Sequence, residues 1–472
     1  MTEAVRSGRG IPEEHVGRSV GGDHPQAPVR GCAVAWATAR TVAYQAAVPL
    51  PAVRLPLAEA DGSTLAAPVR AEAPVPAFDC SGMDGYAIGS VDGPWILVGQ
   101  VLAGADPVAE YGRSPLSPRQ AVEVATGAAL PAGTVGVLRY EHSARTGDVI
   151  RTALGATVAP GRDIRYLGED IPVGVDLVPA GRQVTPVVLG LAATVGVDDV
   201  VVRPCPRVAA LITGDEVVPR GRPGRGRVRD GVGPQLPGVV AGLGGVLVGL
   251  EQVPDMPADR LADALAGAAA DVVITCGGAG PGPADTLGAA LDLLSATIVV
   301  DSVACRPGHP QRLARLRDGR WVVALPGNPF AALVAALTLL GPLLAGLAGR
   351  ALTPLPTARL VDAPPPPAGP AVANGPAVAN GPAVRPDGGV SGGTGPLGAA
   401  SPARTRLVPV RWRQEGDAVE VLGRDRPGNL WGAALADALA VVPPGWQGEH
   451  VALLALPAGR GPGDALSERR PG

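Results

Sequence analysis

The chain of 472 residues contains no lysine; all 40 of its Lys/Arg positions are arginine. Together with Gly 67 and Pro 52, this matches a coding bias toward GC-rich codons, so an arginine in place of an expected lysine carries little weight. Cysteine is sparse. Cys32, Cys80, Cys205, Cys276 and Cys305 are widely spaced, odd in number and form no CxxC pair, which excludes a disulfide framework or a zinc ribbon and favours a reducing, cytoplasmic setting. Charge of one sign is lacking too: the formal net charge is −3, which gives no electrostatic reason to expect nucleic acid or an anionic membrane as a partner. The opening MTEAVRSGRG has no apolar core of a secretory leader. The five histidines His15, His24, His142, His309 and His450 show no metal-ligand spacing, and no Ser/His/Asp or Cys/His arrangement is present.

One long uncharged run exists, residues 330–349, about the length needed to cross a bilayer. Gly341-Pro342 interrupts it, and it follows Trp321 to Leu325 and the turn Pro326-Gly327-Asn328-Pro329. A buried strand, a turn and a core helix account for it equally well, and no membrane is expected.

Apolar residues at 46% and charged residues at 18% describe folded material, and the length calls for several domains. Residues 1–30 lack periodicity and read as a tail, as do residues 460–472. Residues 31–70 and 156–186 read as a discontinuous linker-type domain. Residues 71–155 alternate short apolar runs (ILVGQVLAG, AVEVATG, VGVLRYE) with Gly/Pro turns, the spacing of a small β-rich domain. From Val187 the pattern becomes alternating strands and helices, which predicts an α/β domain over 187–350 with a mostly parallel sheet. Helices are expected near 187–195, 236–244, 259–270 and 284–294, and strands at 207–213, 271–275 and 321–325. Residues 351–459 read as a C-terminal β domain. Its segment 363–403, with PPPP and a duplicated GPAVAN, has the composition of a disordered insertion.

Two loops fall just past strands of the α/β domain, where ligands bind in such folds. Gly277-Gly278-Ala279-Gly280-Pro281-Gly282, followed by Asp285, suits phosphate, because glycine lets backbone N–H groups approach closely. Pro326-Gly327-Asn328-Pro329 is the second; a tight structural turn explains either loop as well. Thr213-Gly214-Asp215-Glu216 offers two carboxylates suited to Mg2+ held with a phosphorylated substrate, or simply solvated acids on a capped turn. In Asp79-Cys80-Ser81-Gly82-Met83-Asp84-Gly85-Tyr86-Ala87, the scarce Met and Tyr surround an approachable Asp84. Glu169-Asp170 is either a site or a helix start.

In order along the chain, PAFDCSGMDGYA, ATGAALPAG, GEDI, LITGDE, VITCGGAGPGPAD, RPGHP and LPGNP resemble the MoeA family, which includes the E domain of gephyrin. The resemblance spans roughly Cys32 to Leu456. It implies a central α/β molybdopterin-binding domain, a small β-rich insert domain and a C-terminal β-barrel-like domain, in a homodimer whose site lies between subunits. It also implies insertion of molybdate into adenylylated molybdopterin, with Mg2+ and release of AMP. Carried over by motif, Asp84, Glu216 and Asp285 are the catalytic acids, Glu216 and Asp285 the metal ligands. Thr126, Asp170, Asp255, Gly277, Gly278, Gly280, Gly282, Arg306, His309, Pro326, Gly327, Asn328 and Pro329 are the residues expected to contact the pterin nucleotide and molybdate.

The chain departs from the family at the molybdate positions. Two family lysines become Arg306 and His309, and histidine is only fractionally charged near neutral pH. The family's Ser-Asn becomes Gly231-Val232, the serine of the Gly loop becomes Gly280, an arginine falls at Pro409 and a serine near Gly428. The retained acids imply an active transferase. The lost donors leave open a catalytically weakened paralogue that acts as a molybdopterin-binding or scaffold protein.

Overall fold

A computed structural model of the chain describes residues 33–277, 286–361, 404–413, 417–422 and 426–457. The expected tails, the 363–403 insertion and most of the Gly loop, with Gly278, Gly280, Gly282 and Asp285, lie outside these residues.

The α/β unit is built on a six-stranded sheet. Val246–Val253, Arg207–Thr213, Val272–Cys276 and Trp321–Leu325 run parallel, in that order. Arg312–Arg315 and Thr297–Val300 then extend it antiparallel. Every residue of Val272–Cys276 and of Trp321–Leu325 is buried, because helices cover both faces, and strands in that position need unbroken apolar sequence. On one face Ile212, Ile274, Cys276, Val323 and Leu325 pack with the helices Trp36–Ala46, Leu236–Gly242 and Pro329–Leu347. On the other, Leu211, Val273, Val322 and Ala324 pack with Ala258–Gly267 and Thr286–Leu293.

The long apolar run is therefore a core helix. Pro329–Leu347 has mean hydropathy 2.2 and is 89% buried over its most apolar stretch. Its middle, Ala336–Leu340, widens into a π-helical turn just before Pro342, whose missing N–H cannot serve the Thr338 carbonyl. Helix Trp36–Ala46 lies against this turn: Trp36 Nε1 donates to Thr338 Oγ1 at 3.0 Å and Arg40 Nη1 to Leu337 O at 2.6 Å.

Two helices pack differently from the sequence reading. Trp36–Ala46, grouped there with the linker residues, belongs to the α/β core. Pro186–Thr194, expected to open the α/β domain, packs instead with Leu65, Val69, Val200 and Val202 of the linker unit. A change of hydrophobic period marks the start of a helix, not the core that receives it.

The small β unit is a six-stranded sheet in the order Ser143–Thr146, Val149–Thr152, Trp95–Val101, Gln120–Val124, Gly85–Ile88, Gly136–Arg139. Its two faces bury separate clusters, one around Val122 and Val137, the other around Trp95 and Leu138. At the C-terminal end Thr405–Trp412, Ala418–Val421, Thr357–Val361, His450–Ala455 and Ala438–Val442 pair in a closed ring. The barrel joins the α/β unit through Val303–Arg306, which pairs in parallel with Thr405 and Arg406.

Candidate functional site

The carboxyl ends of the parallel strands open onto a cavity of about 480 Å3, lined among others by Thr213, Glu216, Arg229, Asp230, Gly277, Asn328 and Gly428. Its floor is set by a close crossing of two strand ends. Thr213 Oγ1 donates to Cys276 O at 3.0 Å, and a Cβ on Gly277 would lie 2.5 Å from Thr213 Oγ1. With φ +108° as well, position 277 admits only glycine without backbone movement. Cys276 lines the floor as a neutral thiol, since complete burial pushes its pKa up.

One wall is the segment after Arg207–Thr213. Asp215 and Glu216, adjacent in sequence, diverge: Glu216 faces this cavity, whereas Asp215 lines a second, smaller one of about 220 Å3 with Gln252 and Pro254. Asp215 Oδ1 there accepts the Asp255 N–H at 3.2 Å. The expectation of a carboxylate pair acting together is corrected accordingly, and Asp255 supports Asp215 through its backbone without lining the main cavity. Asp230 is committed structurally. Its Oδ1 accepts the N–H groups of Val232 and Gly233 at 2.9 and 2.8 Å, and its Oδ2 accepts Gln252 Nε2 at 2.8 Å.

The opposite wall is the turn Pro326-Gly327-Asn328-Pro329 leading into the core helix. The sequence reading offered this turn as a second ligand loop, but Pro427 O, from the C-terminal barrel, accepts the N–H groups of Phe330 and Ala331 at 2.9 and 3.2 Å. The turn therefore presents Asn328 rather than free helix amides. A Cβ on Gly428 would stand 3.6 Å from Asn328 Oδ1, an ordinary contact; a Cβ on Gly231 would stand 2.7 Å from Pro329 Cγ.

Several expected contacts lie elsewhere. Arg306 is exposed on its strand, and His309 turns Nδ1 to Val303 O at 2.8 Å, which makes Nδ1 the protonated nitrogen; neither lines the cavity. Pro409 is buried in the barrel opposite Leu439, so an arginine lost there is not lost from this cavity. Asp84 and Thr126 do meet: Asp84 Oδ1 accepts Thr126 N at 2.7 Å and Thr126 Oγ1 at 3.0 Å. Those bonds hold the Asp84 carboxyl below the usual carboxylate range. Asp170 pairs with Arg165 in a turn, and no helix starts there. These three residues sit away from the cavity of their own chain.

Among the described residues that line the cavity, Arg229 is the one cation. It ends a loop carrying Arg220, Arg222, Arg225, Arg227 and Arg229 with no acid between Glu216 and Asp230, and all five side chains are exposed. The sequence reading passed over this loop, although arginine at every second or third position amid Gly and Pro was a visible signal.

The chain matches the MoeA N-terminal region (domains I and II) over residues 34–196 and a probable molybdopterin-binding domain over residues 209–346. Molybdopterin molybdenumtransferase 2 of Mycobacterium tuberculosis is 34% identical over 295 residues, 60% of this chain and 72% of that protein. The molybdopterin molybdenumtransferase of Synechococcus elongatus is 32% identical over 328 residues, 66% of this chain and 80% of that protein. In architecture the chain is similar to the crystal structure of a molybdopterin biosynthesis MoeA protein from Pyrococcus horikoshii, with TM-score 0.65, 20% identity and coverage of 90% and 100% of the two chains. The chain belongs to the molybdopterin molybdenumtransferase family.

Proposed function

We propose that this chain is an enzyme of molybdenum cofactor biosynthesis that transfers molybdenum from molybdate to the dithiolene of adenylylated molybdopterin, with release of AMP. The observation that carries this reading is the cavity at the strand ends, where Glu216, Asn328 and Arg229 converge around the glycine-only crossing at Gly277. Asn328 supplies both donor and acceptor for a pterin edge. Arg229 supplies charge for an oxyanion.

Mg2+ fits this donor set in a limited way. The described residues contain no group of three or more acidic, His or Cys side chains able to hold a metal, but Mg2+ commonly needs only one or two carboxylates beside substrate phosphates and water. Glu216 is the carboxylate that would hold it, since Asp230 is engaged by three donors. The ion would neutralise charge on the phosphate oxygens. Asp285 would be a second ligand by motif.

The Asp84–Thr126 pair lies away from the cavity of its own chain, which supports a homodimer in which one subunit offers that pair to its partner's cavity. A cytoplasmic location is supported by the buried thiols Cys80, Cys276 and Cys305. A second reading, a weakened paralogue that binds molybdopterin without efficient metal insertion, is favoured by the positions of Arg306 and His309 outside the cavity.

Expression in a cell lacking its own molybdenumtransferase separates the two, scored by nitrate reductase activity at ordinary and raised molybdate. Rescue that Glu216→Gln abolishes, with the variant protein still folded, is the expected result. Failure of the folded wild-type chain to rescue at either concentration would leave the second reading.

A further inference from the structure

A third cavity, of about 630 Å3, lies where the linker unit, the α/β unit and the C-terminal barrel meet, and it shares no lining residue with the cavity around Glu216. Three arginines line it: Arg40 from the first helix, Arg182 from the linker unit, and Arg350 just past the core helix. Among the described residues, no aspartate or glutamate lines it. Arg40 is only 8% exposed. Among the described residues, one of its five N–H donors has a hydrogen-bond acceptor, Leu337 O, and the Trp36 ring lies 5.2 Å from the guanidinium. Arg350 is half-buried and donates from Nη2 to Leu243 O at 2.9 Å, while its Nε has no acceptor. Arg182 is exposed at the rim.

Burial lowers the pKa of both Arg40 and Arg350; at Arg350 the neighbouring Cys205 thiol opposes the effect, and at Arg40 nothing does. A folded protein that takes the Arg40 guanidinium, and part of the Arg350 one, out of water without a carboxylate partner holds them at a cost, which a bound anion relieves. Guanidinium forks match the spacing of oxygens on a tetrahedral oxyanion. The remaining wall is largely apolar, with Leu337, Pro342, Leu355 and Leu453, and carries the polar side chains Gln183, Thr185 and Thr353; the volume is that of a small-molecule site.

We propose that this cavity binds a small tetrahedral oxyanion, free or as the phosphate of a compact organic molecule, between Arg40, Arg182 and Arg350. The occupant bridges three structural units, so its binding also fixes their relative placement. The inference does not depend on molybdenum insertion: binding itself is the readout.

The test is calorimetry on the full chain at constant ionic strength with three probes: orthophosphate, molybdate and AMP. Arg182→Gln and Arg350→Gln are each expected to weaken the affected probe about tenfold or more, the scale of one lost charge-assisted hydrogen bond. Asn328→Ala, in the other cavity, is expected to leave that binding event in place. Orthophosphate bound as tightly as AMP identifies a free-ion site, and tighter AMP binding lost in both arginine variants identifies an organic phosphate. Arg182→Gln alters an exposed side chain, so the test stands even if Arg350→Gln fails to fold. No binding of any probe, or binding indifferent to both arginine variants, overturns the proposal and leaves these arginines as caps for the Leu337 and Leu243 carbonyls.

Discussion

At the scale of single residues, Gly231 and Gly428, which the resemblance reads at or near serine positions of the family, are not equivalent. Position 428 has room: its Cβ would meet Asn328 Oδ1 at 3.6 Å. Gly428→Ser therefore adds a hydroxyl to the cavity without displacing its neighbours, and the expected outcome is a KM for molybdate about threefold to tenfold lower, the worth of one hydrogen bond. Position 231 has none, because its Cβ would sit 2.7 Å from Pro329 Cγ. Gly231→Ser is expected to destabilise the chain by about 1–3 kcal/mol, the usual cost of overpacking, seen as a lower Tm with no gain in affinity. Asp84 gives a pH prediction. Its folded pKa is depressed by the two Thr126 bonds, so its contribution to stability is complete above the ordinary carboxylate value of about 4 and is lost as pH falls through the lower folded value. Thr126→Val removes the hydroxyl bond and keeps the backbone one. In a carboxyl-carbon NMR titration, the Asp84 pKa should rise toward the ordinary value, with no new limb in the activity profile near neutral pH. A titration unmoved by that substitution would assign the whole shift to the backbone N–H.

At the scale of elements, the strands and helices legible in sequence were those whose pattern is dictated by burial alone. Arg207–Thr213 and Trp321–Leu325 form as expected, since a fully covered strand reads as an apolar run. The edge strand Val246–Val253 went unread because Val246, Val248 and Leu250 are left exposed, and Thr297–Val300 and Arg312–Arg315 because they are short and the latter is charged at both ends. Spacing placed Gly277, Glu216 and Asn328 at strand ends, and they do line one cavity. It had no means of showing that Asp215 faces away, or that a barrel carbonyl occupies the helix start at Phe330, since both depend on contacts between distant segments. Asp230 is an element-scale residue of the same kind. Its three bonds tie the turn before Leu236–Gly242 to Gln252 on the edge strand. Asp230→Ala should cost about 1–3 kcal/mol by urea unfolding and raise the KM for the pterin substrate, as the cavity wall loosens. Unchanged stability would mean that solvent replaces those bonds at no cost.

At the scale of the whole molecule, a chain of net charge −3 must draw in substrates that are themselves anionic. The overall field does not help, so the local one must. The loop from Arg220 to Arg229 carries five exposed arginines, and the last of them lines the cavity with Glu216. The side chains of Arg220, Arg222 and Arg225 make no hydrogen bond or ion pair among the described residues, so their charge is directed at solvent rather than spent on the fold. A cluster of one sign beside a cleft raises encounter rates with opposite charges, and the gain fades once the Debye length, about 10 Å at 0.1 M salt, falls below the distance to be spanned. His309 lies outside the cavity and turns its protonated Nδ1 to a backbone carbonyl. The expected outcome is a kcat/KM for molybdate that falls steeply with added salt in the wild-type chain. The triple variant R220Q/R222Q/R225Q should start about tenfold lower at low salt and show a nearly flat dependence, with kcat and Tm unchanged. If the variant keeps the wild-type salt slope, the field at the cavity comes from elsewhere and the arginines serve only solubility.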